Sequence, residues 1–269
     1  MSDSNDATVL DHSSHDGFTS YYAEKSVRPE QLRHFRSVQS AILRVLERAA
    51  APLRKYDVLD VGCNAGGQCA VWAESGHRVY GLDINGPLLE LARKRAAERG
   101  QAIDYRLGTA TALPWPDNSM DVCIAMELLE HVADWPACLQ EFTRVVRPGG
   151  AVFISTSNAL CPIQHEFALP GYSWYPGFVK RHYERLASTT RPELAAGAKY
   201  PAVNWFTAYR LGKELRKRGF ASFDRFDLVN TAKTGSLATV AVALVRSIPP
   251  LRLLGHICTP GTTVLGVKS

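Results

Sequence analysis

The chain lacks both cysteine patterns that would mark it as a secreted or metal-stapled protein. Its six cysteines, Cys63, Cys69, Cys123, Cys138, Cys161 and Cys258, form no CxxC pair and no even ladder of the secreted kind, which points to a reducing cytosol. The first sixteen residues are polar and rich in Asp, Ser and His, with neither a basic start nor an apolar stretch, so no signal peptide is expected. Residues 1–28 read as a flexible tail, in which His12 and His15 are more readily solvated than metal-bound. The longest apolar stretch, residues 237–245, falls well short of the roughly 20 residues needed to cross a bilayer. Charge of one sign is scarce too. A net charge of +5 on 269 residues, with cations scattered among acids apart from Lys213–Arg218, gives no basic stripe for a nucleic acid.

What remains is an ordinary globular composition, 46% hydrophobic and 21% charged, sufficient for one decorated domain over residues 29–269. Apolar residues at Leu32, Phe35, Val38, Ile42, Val45, Leu46 and Ala49 recur every three or four positions, marking an amphipathic helix over 29–50. The pattern then alternates: strand 57–61, helix 66–75, strand 78–83, helix 86–99, strand 103–107, strand 121–126, helix 135–146, strand 151–156. Such alternation predicts an α/β fold with a parallel sheet covered by helices. Asn85 and Asp134 are expected helix caps, each followed by a proline in the first turn, and Pro148-Gly149-Gly150 is an expected stop. A helix over 206–218 and strands near 221–229 and 262–268 complete the chain. Almost fifty residues separate Thr156 from Phe206, where about 2 to 6 are usual. This insertion, about 158–204, carries prolines and the aromatics Phe167, Tyr172, Trp174, Tyr175, Phe178 and Tyr183, and reads as a substrate lid.

Three motifs follow in order. Asp60-x-Gly62-x-Asn64-x-Gly66 ends the first strand of the alternation, and a glycine at 62 lets the backbone approach a ligand where a Cβ would collide. Asp83 ends the next strand, where a carboxylate can take two ribose hydroxyls. Gly108-Thr-Ala-Thr-Ala-Leu-Pro114 comes next, before Asp117-Asn-Ser-Met-Asp121. A nicotinamide cofactor would want Gly-x-Gly-x-x-Gly, and Asn64 replaces the middle glycine. In this order and spacing, residues 52–158 resemble the class I S-adenosylmethionine-dependent methyltransferases, and Arg144-Val-Val-Arg-Pro-Gly-Gly150 resembles that family's next signature. The resemblance implies a Rossmann-like, doubly wound, seven-stranded sheet with helices on both faces and the last strand antiparallel. It also implies S-adenosylmethionine as cofactor. Asp60 would orient the methionine amino group, with Gly62, Cys63 and Gly66 lining the methionine moiety. Asp83 would hold the ribose, Ile84 and Ala110 would meet the adenine, and Met126 would close the set. Two positions depart from the family pattern. Asn64 stands for a glycine but tolerates the left-handed conformation, and Thr109 stands where an Asp often accepts the adenine amino group.

Glu127, Glu130 and His131 follow the fourth strand at i, i+3 and i+4. On a helix they would converge on one face, either as a general base with its orienting partner or as ligands for a divalent metal. Glu-Leu-Leu-Glu-His-Val is similar to Glu-Val-Leu-Glu-His-Val of the ubiquinone-biosynthesis O-methyltransferases, whose acceptors are catechol-like hydroxyls. His131 and Glu130 are the first catalytic candidates, against a structural role in capping; His165 and, less so, His182 in the lid are further ones. Tyr21 and Tyr22 are candidates to close over the cofactor. The expected reaction is methyl transfer to a hydroxyl oxygen of a small or lipid-linked acceptor, either quinol or sugar. A small amine, a nucleic acid and a non-catalytic nucleoside-binding role are the alternatives. The Asn-Pro-Pro-aromatic signature of amide and adenine N-methylation is missing. Residues 237–257, with Arg246 and Arg252 among aliphatics, read either as a helix packed over the sheet, which is preferred, or as a peripheral membrane contact. A cytoplasmic location, at the membrane in the second case, follows.

Overall fold

The computed structural model describes residues 20, 23–48, 55–195, 201–233 and 235–269. Tyr21, Tyr22, His12 and His15 lie outside them.

Seven strands form one sheet in the order β3-β2-β1-β4-β5-β7-β6. They are β1 (Asp57–Val61), β2 (Arg78–Asp83), β3 (Ile103–Leu107), β4 (Met120–Met126), β5 (Val146–Ser157), β6 (Phe220–Asp224) and β7 (Gly261–Lys268). β1 to β5 pair in parallel, and β7 is antiparallel to both β5 and β6. This is the doubly wound architecture that the alternation and the C-terminal strand imply. Register places Leu82, Val61, Ala125, Ile154, Val264 and Asp224 in one row across six strands. β1 ends in this row, and β2 and β4 end beside it one residue further on. In open α/β sheets such strand ends at the reversal of strand order form the ligand crevice.

The central strands are buried on both faces, so β1 reads as an apolar run: Val58, Leu59 and Val61 are each fully buried. Helices α1 (Pro29–Arg48), α2 (Gly67–Glu74), α3 (Gly86–Glu98), α4 (Trp135–Val145) and α6 (Ala208–Lys217) cover the sheet. One core holds Leu59, Leu82, Phe142, Val152 and Phe206; a second holds Ile42, Trp72, Leu89, Ile124 and Phe153.

Two boundaries move for identifiable reasons. β5 begins at Val146 rather than 151 because the register slips between Met120↔Val146 and Val122↔Ala151. The slip absorbs Pro148-Gly149-Gly150 into the strand, with Gly149 at φ +78°. β6 stops at Asp224 rather than 229 because the Asp224 carboxylate accepts the Phe226 N–H (2.9 Å) and turns the chain.

The insertion contains α5 (Gly177–Thr189) and its own small core. Tyr172, fully buried, stacks on Phe167 at 4.1 Å and meets Trp205 edge-on. Those aromatics therefore hold the insertion together, and Trp174 and Phe178 are its exposed ones. Between β6 and β7 lie α7 (Ser236–Ser247) and α8 (Pro249–Ile257). No residue of α7 is buried, which overturns the expectation of a helix packed over the sheet.

Candidate functional site

The turn after β1 is pinned to β2, since Gly62 N–H and Cys63 N–H both donate to the Leu82 carbonyl (2.7 and 3.1 Å). Gly62, Asn64 and Gly66 all adopt positive φ (78°, 48° and 76°), the region only glycine and, less readily, asparagine enter. Asn64 thus takes the conformation that its replacement of a glycine requires. At Gly66 a Cβ would collide with the Tyr105 hydroxyl and reach Ala92 Cβ at 3.0 Å. Left-handed strain and overpacking together predict that Gly66→Ala destabilises the protein by about 2–4 kcal/mol, readable in urea denaturation.

Asp83 ties the two sides of the crevice together. Its Oδ2 accepts Asn64 N–H and its Oδ1 accepts Asn85 N–H, both at 2.8 Å. Each oxygen keeps acceptor capacity for a hydroxyl. Burial raises the Asp83 pKa, while backbone donors at Asn85, Asn64 and Ile84 oppose the shift. Asp60 is buried deeper. Burial pushes its carboxyl up to about 7 against the Cys69 thiol contact, and neighbouring Asp83 adds to the rise. A cationic amine beside Asp60 would favour its ionised form.

A cavity of about 500 Å³ opens here, lined by Asp60, Gly62, Cys63, Asn64, Asp83, Ile84, Thr109, Ala110 and Met126. Gly66 stands just behind it as the residue preceding α2. The Thr109 hydroxyl is partly committed to its own turn, 2.9 Å from the Thr111 hydroxyl. Sequence reasoning missed Gln68. It lines the cavity from the first turn of α2 and is buried, yet both polar atoms of its amide lack a partner among the described residues. Asn85 caps α3 through its side-chain oxygen, which accepts Leu88 N–H (3.0 Å), and leaves its amide nitrogen unpaired. Buried unsatisfied amides are costly. Together with the ribose-type carboxylate and the narrow glycine turn, they fit a polar nucleoside with an amino-acid tail. Lys25, Ser26, Gln31 and Phe35 line the cavity from the N-terminal side; no local motif announced them.

The candidate catalytic residues are arranged differently from the expectation. Glu127 takes φ +49°, and residues 127–134 form turns rather than a helix. The i, i+3, i+4 convergence is therefore lost. His131 lines the cavity but does not join the two glutamates; Glu166 of the lid does. One carboxylate oxygen from each of Glu127, Glu130 and Glu166 lies within 4.8 Å of the other two. Glu127 accepts the Ser155 hydroxyl (2.8 Å), and Glu130 Oε2 accepts the Thr156 hydroxyl (2.7 Å). Glu130 is fully buried and its Oε1 has no partner among the described residues. Burial, then the Glu127 charge, pushes Glu130 well above the usual carboxylate range. The same two causes, in the same order, push Glu166 up to about 7, while Lys25 and His165 pull it down. His165 itself is exposed and outside the cavity lining, as is His182, which rests on Tyr183. Capping of α4 falls to Asp134, which accepts Ala137 N–H (3.2 Å), not to Glu130 or His131.

Residues 59–154 match the family described as a methyltransferase domain. The chain is 35% identical over 153 residues to a ubiquinone biosynthesis O-methyltransferase of Parvibaculum lavamentivorans, covering 57% of this chain and 60% of the relative. With the protein of the same name from Mesorhizobium japonicum it shares 33% over 171 residues, 61% of this chain and 66% of the relative. It thus spans less than two thirds of the curated relatives it matches. In fold it is similar to an S-adenosylmethionine-dependent methyltransferase from Mesorhizobium loti, with a TM-score of 0.54 and 20% identity. That match covers 84% of this chain and 97% of the other. Sheet order, glycine turn and the Asp83 carboxylate agree with the family match: residues 59–154 form a methyltransferase domain with the class I, S-adenosylmethionine-dependent fold.

Proposed function

We propose that the protein methylates a hydroxyl oxygen of a small or lipid-linked acceptor, with a catechol-like quinol as the leading class. The carboxylate cluster carries this reading. A phenolic hydroxyl has a pKa of about 10, so its oxygen attacks the sulfonium methyl poorly, with S-adenosylhomocysteine as leaving group, unless the hydroxyl proton is removed. S-adenosylmethionine, when bound, supplies an electrophilic methyl group. Asp83 would hold its ribose, Asp60 and Gln68 its amino-acid end, and Ile84 and Ala110 its base. Glu166, with a pKa near 7, is matched to accept the acceptor proton at neutral pH. Burial of Glu166 and the neighbouring Glu127 charge sustain that pKa. The names of the curated relatives agree with a quinol acceptor, and a lipid tail would fit the apolar surface of residues 237–257.

The unpaired Glu130 Oε1 supports a divalent cation at the same cluster. Three carboxylates are hard oxygen donors of the kind that hold magnesium or manganese. A cation there would lower the hydroxyl pKa and replace Glu166 as the activating group. Thorough chelation is then expected to cut turnover at least tenfold, with magnesium restoring it and manganese binding visible by electron paramagnetic resonance. Undiminished turnover without metal would leave Glu166 as the base. A small amine is the second acceptor reading, because three carboxylates also attract an ammonium. Radiometric transfer to a prenylated catechol, compared with a primary amine and single-stranded RNA, decides among the classes; transfer to the amine or RNA alone would reject the hydroxyl.

A further inference from the structure

Helices α7 and α8 are amphipathic in the reverse sense to a soluble surface helix, which turns its aliphatic stripe inward and its charges out. Here the polar side faces the protein. Arg246 donates to the carbonyls of Phe226 and Val229, both at 2.9 Å. Arg252 pairs with Asp224 at 2.7 Å and also with Asp227. His256 Nε2 lies 2.9 Å from Asp224 Oδ2. The aliphatic side faces out: Leu237 is 87% exposed, Val240 58% and Leu254 54%, with Leu244 and Leu253 also exposed. The hairpin is therefore fixed by its polar contacts and offers an apolar face that none of the described residues covers.

We propose that this hairpin docks on an anionic lipid bilayer and turns the methyl-transfer site toward that surface. Protein interfaces draw on Tyr, Trp, Phe and Met, and residues 236–257 contain none of them. Their exposed apolar side chains are aliphatic, which suits acyl chains. From Leu228 to the last residue there is no aspartate or glutamate, and Arg246, bonded to backbone carbonyls, brings a positive charge to the hairpin, whereas Arg252 is neutralised by Asp224 and Asp227. Anionic headgroups would thus meet the Arg246 charge and no carboxylate on the hairpin itself. The two helices bend by 107° at their junction, and neither is long and apolar enough to cross a membrane. They suit a seat within the interface. Location completes the case. The hairpin leaves β6 at Asp224, in the same row as Ala125 of β4, three strand spacings or roughly 15 Å away. Asn158, following β5, donates to the His256 and Thr259 carbonyls, both at 2.7 Å, so the hairpin base is built into the edge that carries the site.

The orientation of the site rests on the lipid-linked acceptor proposed above; the docking does not. The 269-residue chain is floated with vesicles of phosphatidylcholine alone and of phosphatidylcholine with phosphatidylglycerol. The wild type should float with both, more strongly with the anionic vesicles. The combined Leu237→Asp, Leu244→Asp and Leu254→Asp variant should lose partitioning by about tenfold or more, with unchanged affinity for S-adenosylhomocysteine and unchanged melting as proof of folding. A wild type that stays soluble with both vesicles, or a variant that floats as well as wild type, overturns the docking. So does a wild-type dimer that the variant splits in sedimentation equilibrium, which would give the face to a second copy. Methylation of a water-soluble catechol is read in parallel. Flotation without such methylation sustains the docking and removes the acceptor reading; methylation without flotation does the reverse.

Discussion

Asp83→Ala is expected to weaken S-adenosylhomocysteine binding by about 100- to 1,000-fold in calorimetric titration. Hydrogen bonds to a charged group contribute about 1.5–3 kcal/mol each, and the Asp83 carboxylate offers both its oxygens to the cavity. The same oxygens hold Asn64 N–H and Asn85 N–H, so the substitution also releases the glycine turn from the start of α3. Two effects are therefore superimposed, and a second variant separates them. Asp83→Asn keeps one acceptor and loses the charge. It should bind with intermediate affinity, while the melting temperature of the ligand-free protein changes less than with alanine. An alanine variant that retains wild-type affinity would remove the ribose assignment altogether. Neither variant should gain affinity for NAD, since the Asn64 turn differs from the nicotinamide pattern.

Much of this site was legible because its parts are local. Val58, Leu59 and Val61 are buried on both faces of a parallel sheet, which leaves an apolar run in the sequence. Asn85 and Asp134 signal α3 and α4 because a side-chain cap must sit at a fixed offset from the first free N–H groups. Gly62, Asn64 and Gly66 signal the turn because few residues tolerate positive φ. What failed was inference that needed either a conformation or a distant partner. The spacing of Glu127, Glu130 and His131 suggested a helix, but Glu127 itself adopts a left-handed conformation and breaks the period. Glu166 lies thirty-six residues after Glu130 and joins it only through lid folding, which no local pattern encodes. The hairpin misled for a related reason. Apolar positions spaced three and four apart say that a stripe exists, not that the same chain covers it. Asp224 and the carbonyls after it draw Arg252 and Arg246 inward, which leaves the aliphatic side outward instead of packed over the sheet.

Glu166→Gln is expected to lower kcat by about 100- to 10,000-fold, the range contributed by a positioned general base, with S-adenosylhomocysteine affinity preserved. The pH dependence gives the sharper test. In the wild type the rate should rise as pH passes through about 7, where Glu166 ionises, and the variant should lose that limb. Stability should move the other way. A carboxyl whose folded pKa lies above its unfolded value favours the folded state fully only below the unfolded pKa, near 4.5. That contribution disappears as pH rises to about 7. Above pH 7 the wild type carries a half-hidden carboxylate beside the Glu127 charge, and glutamine relieves it. The variant should therefore be more stable than wild type by roughly 1–3 kcal/mol at pH 8 in chelator, and closer to it at pH 5. A purely structural Glu166 would show loss of stability together with loss of activity. Loss of activity with a gain in stability is what a strained catalytic carboxylate produces, and a bound cation, by neutralising the cluster, should abolish that gain when magnesium is added back.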